Sequence, residues 1–154
     1  MEKFFVMLVS SFIISLSVKA QQNIDSLKLQ GSWKLTEIVE ERYQLISNVL
    51  IQTSKLTSKE DFRKASAATC TGLTFQGSKC RLQTNSVDGY FDYTIEDNRI
   101  QVFRTSKMDA EIQSNNYVYQ LDGADKLLIG PITESFMENG QPVKRVMTLY
   151  YKKY

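Results

Sequence analysis

The chain has 154 residues, 42% of them hydrophobic and 23% charged, with a net charge of +2, no histidine and two cysteines. That is enough apolar material for one domain with a real core, and the near-neutral balance leaves no electrostatic footprint for nucleic acid or an anionic membrane. The missing histidine excludes Ser-His-Asp and Cys-His catalysis and imidazole metal sites, and two cysteines cannot build a four-cysteine zinc site.

The first twenty residues have the three parts of a secretory leader. Lys3 precedes an uncharged run from Phe4 to Ser17, and Val18-Lys19-Ala20 offers a cleavage site before Gln21. That run is shorter than the roughly 20 residues that span a bilayer, and no second one follows. The expected division is a signal peptide over residues 1–20 and one exported domain over residues 21–154, periplasmic or secreted, with no integral membrane segment. Losing Glu2, Lys3 and Lys19 would lower the net charge to about +1. The basic residues near the C-terminus, Lys144, Arg145, Lys152 and Lys153, read as a solvated tail.

Residues 23–29 read as a short lead, one helical turn that closes a barrel end. Leu29-Gln30-Gly31-Ser32-Trp33-Lys34-Leu35 then opens the first strand, with Gly31 freeing the backbone before the only tryptophan. Strict alternation puts Trp33, Leu35 and Val39 on one face and Ile38 and Glu40 on the other. Residues 41–68 read as a long insertion with a short helix at 59–66 behind the N-cap Ser58.

Beyond Cys70 the pattern is regular. A two-residue turn at Gly77-Ser78 sets Phe75 opposite Cys80 and Leu73 opposite Leu82. A turn at Asp97-Asn98 sets Ile95 opposite Ile100 and Tyr93 opposite Val102. Residues 104–116 read as a loop. Tyr117–Leu121 and Lys126–Gly130 make a third hairpin, and Asn139-Gly140 turns a fourth in which Ile132 faces Met147, Glu134 faces Arg145 and Phe136 faces Val143. The expected fold is therefore all-β, an eight-stranded antiparallel up-and-down barrel with a short helix in the long insertion after the first strand.

Cys70 and Cys80 are the candidate disulfide pair in an oxidising compartment. With the turn at Gly77-Ser78, however, Cys70 lies opposite Asn85, far beyond the roughly 4.4–6.8 Å that a bridge spans between Cα atoms. The bridge forms only if the chain reverses at Thr71-Gly72, so both states stay open. The adjacent carboxylates Glu40-Glu41 and Glu60-Asp61 read as solvated, and Asp122 and Asp125 as turn residues rather than a Ca²⁺ site. No cofactor, metal site or enzymatic activity is expected.

In order along the chain, Gly31-Ser32-Trp33-Lys34-Leu35, Cys70 before Leu73-Thr74-Phe75, Gly89-Tyr90-Phe91-Asp92-Tyr93-Thr94-Ile95 with Asn98-Arg99-Ile100, and Tyr117–Leu121 before Asp125–Leu128 resemble the lipocalin-like domain proteins exported by Bacteroidetes-type bacteria. The resemblance implies a barrel holding a small hydrophobic or amphipathic molecule against aromatic residues. Phe75, Tyr90, Tyr93, Phe103, Tyr117 and Tyr119 are the candidate contacts, and the protein is expected to be a monomer. It also implies structural roles for Gly31 and Trp33, with Lys144 or Arg145 from the last strand packed over the tryptophan. Arg145 has a competing partner in Glu134. The alternative is a META-type domain, to which Thr105-Ser106-Lys107-Met108 after a glycine-tyrosine strand is similar. That alternative implies a structural, stress-related or interaction protein with a filled interior and no ligand.

Overall fold

The computed structural model describes residues 26–65, 69–105 and 112–154. In them nine antiparallel strands make one sheet: β1 (Gly31–Gln44), β2 (Leu50–Leu56), β3 (Gly72–Gln76), β4 (Lys79–Gln83), β5 (Asp88–Glu96), β6 (Arg99–Thr105), β7 (Ile112–Asp122), β8 (Lys126–Glu138) and β9 (Gln141–Lys153). One helix, α1 (Lys59–Ala65), lies between β2 and β3. Strand order runs β2-β1-β3-β4-β5-β6-β7-β8-β9, and β1 pairs back to β9, so eight strands close a barrel and β2 is an extra strand on its wall.

The hairpin registers expected from alternation hold: Phe75 faces Cys80, Leu73 faces Leu82, Tyr93 faces Val102 and Ile95 faces Ile100. Ile132 faces Met147, Glu134 faces Arg145 and Phe136 faces Val143. Positive φ at both Asn139 and Gly140 gives the mirror-image turn whose twist suits a two-residue hairpin.

Three expectations need correction. Part of the insertion over residues 41–68 is sheet: β1 continues to Gln44, turns, and returns as β2. Residues 104–116 are not all loop, because Ile112–Asn116 of β7 pairs with β6 despite its polar sequence. The faces of β1 also differ from strict alternation. A bulge between Leu35 and Glu37 puts one extra residue into β1 against β9, so Trp33, Leu35, Ile38 and Glu40 are the buried residues and Val39 is not. The helix falls where Ser58 predicted it, with the Ser58 hydroxyl accepting the Asp61 N–H at 3.1 Å. It turns Phe62 and Ala65 into the core.

One end of the barrel carries the β3–β4, β5–β6 and β7–β8 turns and the start of β1, and this end is a packed floor. A helical turn at 26–29 lies across it. Trp33 is fully buried there, and its indole N–H donates to the Leu29 carbonyl at 2.7 Å. A buried tryptophan is worth most when its polar edge is satisfied in this way. Gln30 completes the floor, donating to the Tyr93 hydroxyl at 3.0 Å and accepting the Gly77 N–H at 2.9 Å.

The cation over Trp33 comes from neither Lys144 nor Arg145. It is Lys153, whose Nζ sits 5.0 Å from the ring centroid and donates to the Lys28 carbonyl at 2.9 Å. Register explains the difference: Lys153 is the β9 residue directly opposite Trp33, whereas Lys144 and Arg145 lie opposite Tyr43 and Arg42 at the far end of the strand. Lys153 is accordingly part of the floor and not of a solvated tail. Gly31 makes room for it. A Cβ at Gly31 would lie 2.9 Å from the Lys153 side chain, and its φ of +111° disfavours any other residue.

Trp33→Ala should therefore cost about 3–5 kcal/mol in denaturant unfolding, whereas Lys153→Ala should cost about 0.5–1 kcal/mol, the scale of an exposed cation–π contact. A Trp33→Ala loss below about 1 kcal/mol would mean that the floor is not what holds the barrel shut.

Candidate functional site: the barrel interior and its mouth

The interior above the floor is apolar and nearly full. Leu73, Phe75, Cys80, Leu82, Ile100, Val102, Ile129 and Leu149 are all buried and belong to one continuous core. They line a partly open cavity of about 30 Å³, to which Cys70, Tyr117, Ile132 and Tyr151 also contribute. Roughly 150 Å³ is the size of a core cavity that admits benzene, while a single water needs only ~10–15 Å³. The larger hollows, about 710 and 910 Å³, are open clefts outside the barrel wall.

The six aromatic residues proposed as ligand contacts divide accordingly. Phe75 and Tyr117 line the cavity. Tyr93 and Tyr119 are buried, but Tyr93 stacks edge-on against Phe75 at 5.1 Å and sends its hydroxyl to the Gly77 carbonyl at 3.1 Å, which makes it floor structure. Tyr90 is 56% exposed and lies under Arg81 on the outer face. Phe103 has the opposite parity to the inward Ile100 and Val102. Four of the six therefore face the interior, and two of these, Phe75 and Tyr117, line the cavity. Alternation alone could have separated Phe103 from Val102, because the two are adjacent on one strand.

No disulfide joins Cys70 and Cys80; both are buried thiols. Cys70 lies before β3, which starts at Gly72, and so outside the ladder from which its separation from Cys80 was reckoned. Freed from the strand's alternation, Cys70 turns inward and shares the cavity wall with Cys80, and its carbonyl accepts the buried Tyr151 hydroxyl at 2.8 Å. Burial pushes the Cys80 thiol up to about 12, with the neighbouring Cys70 adding to the effect, and burial likewise holds the Tyr151 phenol well above its ordinary value.

Towards the mouth the inner face changes character. Above Ile38 on β1 come Glu40 and Arg42, above Met147 on β9 comes Arg145, and above Ile132 on β8 come Glu134 and Glu138. Arg42 bridges Glu40 at 2.6 Å and Glu138 at 2.8 Å. Arg145 contacts Glu134 and approaches Glu40 at 3.6 Å, with its guanidinium 5.3 Å from the Phe136 ring. Glu40, expected to be solvated, is 4% exposed, because the bulge before Glu37 rotates it inward. A carboxylate so placed is tolerable only with cations beside it, and the pairing raises the Arg42 guanidinium above its ordinary value, chiefly through its hydrogen bond to Glu40. Arg145 thus has the ion-pairing role that its register opposite Glu134 foretold.

A hollow of about 190 Å³ adjoins this cluster, lined by Glu40, Arg42, Ser54, Asp61, Lys64 and Arg145 among others. Among the described residues no three metal-ligating side chains converge. Asp122 and Asp125 flank a turn in which Lys126 pairs with Asp122 at 3.4 Å. No described helix is long and apolar enough to cross a membrane. Residues 1–20, read from the sequence as a leader, and Ser106, Lys107 and Met108 lie outside the described residues.

The buried thiol carries a pH consequence. Unfolded, a cysteine releases its proton near the ordinary 9.0; folded, Cys80 holds it to about 12. Above pH 9 the unfolded state therefore binds fewer protons, and stability is full below that pH and falls as pH rises towards 12. Tyr151 and Tyr93, both raised by burial, act in the same direction. Melting curves from pH 7 upward should show this alkaline loss, and the native protein at pH 8 should be inert to a thiol reagent that reacts with both cysteines once it is unfolded. Fast native labelling, or a melting point indifferent to alkali, would contradict the interior placement. No family model, curated protein or solved structure matches this chain.

Proposed function

We propose that this protein is an exported, non-catalytic β-barrel whose interior serves as its own core and whose outer surface performs its function, as an interaction or structural module. The observation that carries this reading is the cavity of about 30 Å³, too small for a fatty acid, sterol or porphyrin. An eight-stranded barrel is just wide enough for its own side chains to fill. Here Phe75, Leu82, Ile100, Leu127 and Leu149 fill it. The leader-like residues 1–20 support export to the periplasm or beyond, and the absence of histidine supports a non-catalytic role.

A second reading keeps the ligand of the lipocalin-like resemblance but moves it upward. The hollow of about 190 Å³ beside Arg42, Lys64 and Arg145 would suit the polar head of an amphipathic molecule better than the packed interior would suit its tail.

Native mass spectrometry and solvent extraction of the purified protein separate the two. The first reading predicts that no small molecule copurifies, and that Trp33 fluorescence is unchanged by fatty acids, sterols and porphyrins. A stoichiometric copurifying lipid, or saturable quenching by one of these compounds, would overturn it in favour of the second.

A further inference from the structure

Closing a β-barrel removes sheet edges, yet this chain rebuilds one. β2 pairs with β1 from Ile38↔Leu56 to Tyr43↔Leu50 and ends the sheet, and among the described residues nothing pairs with its outer edge. Most of its side chains are exposed. The hairpin leading into it shows aliphatic surface: Ile46 is 86%, Val49 59% and Ile51 58% exposed. An unpaired edge is ordinarily blunted by proline, by charge or by a cover. β2 has no proline, and its single charge, Lys55, is turned back to Glu37 of β1 at 3.3 Å. Its one irregularity is a bulge at Ile51, which leaves Gln52–Leu56 as regular ladder.

The geometry points to a second copy of this chain as the partner, with the β2 edges of two molecules pairing antiparallel about a two-fold axis at Thr53. The sequence of β2 is complementary to itself in that register. Thr53 faces its own symmetry mate and Gln52 faces the partner's Ser54, while the bulged Ile51 comes level with the stem of the partner's Lys55. The faces agree as well. Gln52 and Ser54 sit opposite Arg42 and Glu40 on the inner side, and their side chains hydrogen bond at 3.0 Å. Thr53 and Lys55 sit opposite Glu41 and Val39 on the outer side. Thr–Thr pairs and an aliphatic residue against a lysine stem are favourable cross-strand neighbours, and no like charges meet. The two copies would share one sheet in the order β8-β9-β1-β2-β2-β1-β9-β8, with the exposed Val49–Ile51 stretch of each running beside the end of the other's β2. An isologous contact of this kind closes on itself instead of propagating into fibres. The pairing stands whether or not the interior takes a ligand, and it replaces the monomer expected from the sequence.

Light scattering on the eluting full domain tests it. The native protein should elute with the mass of two chains, and Thr53→Lys, which sets like charges directly opposite each other, should elute with the mass of one while its circular dichroism is unchanged. Thr53→Cys guards against a variant that simply misfolds. Under mild oxidation it should form a covalent dimer in high yield, because directly opposed Cβ atoms lie about 4.5–5.5 Å apart. A cysteine placed at exposed Thr36, away from the edge, should not. A native chain of single mass, a dimer that survives Thr53→Lys, or crosslinking no better at Thr53 than at Thr36 would each overturn the proposal.

Discussion

The pairing of β1 with β9 is the constraint on which the rest of this molecule depends. It turns an eight-stranded sheet into a barrel, and it runs the length of β1 from Trp33↔Lys153 to Gln44↔Val143. Both ends of the fold follow from that register. At the floor it places Lys153 over Trp33, so the last strand covers the first where the indole meets the Leu29 carbonyl. At the mouth it sets Arg42 beside Arg145, and two adjacent guanidinium groups require carboxylates around them, which Glu40, Glu134 and Glu138 supply. Because β9 occupies all of one edge of β1, the other edge is left for β3 in its first half and β2 in its second.

The interior that results has two zones with different physical characters. Below Ile38 and Met147 it is apolar and packed, which is why the Cys80 thiol and the Tyr151 phenol there resist ionisation. Above that level it is ionic and partly open. The cavity in the lower zone measures about 30 Å³, and the walls of the upper zone carry charge. Burying that many charges does not maximise stability, since apolar replacements of buried ion pairs are often neutral or better. What the cluster does supply is a set of paired directions across β1, β8 and β9, which disfavours any slip of their register.

Much of this fold was legible in the sequence, because alternation is a reliable signal wherever a strand runs without interruption. Leu73 and Phe75 against Leu82 and Cys80, Tyr93 and Ile95 against Val102 and Ile100, and the whole β8–β9 hairpin above Ile132 followed from period two and a short turn. What escaped were the places where period two breaks. The bulge before Glu37 reverses the faces of β1 and carries Glu40 from solvent to core, and no composition signal marks Thr36 as the extra residue. The polar strand at Ile112–Asn116 escaped because its sequence carries no apolar alternation, and only its ladder with β6 marks it as strand. The aromatic residues show the same point: an aromatic on a strand has a face before it has a function, and Tyr90 and Phe103 do not line the cavity, whereas Phe75 and Tyr117 do.

The central claim is that the barrel is filled by its own side chains. A crystal structure determined under xenon pressure addresses this directly, because xenon enters dry apolar cavities of sufficient size without needing any polar partner. The account predicts no xenon among Phe75, Leu82, Ile100 and Leu149. A well-occupied xenon site there, with these side chains unmoved, would show an interior spacious enough for a ligand and would contradict it.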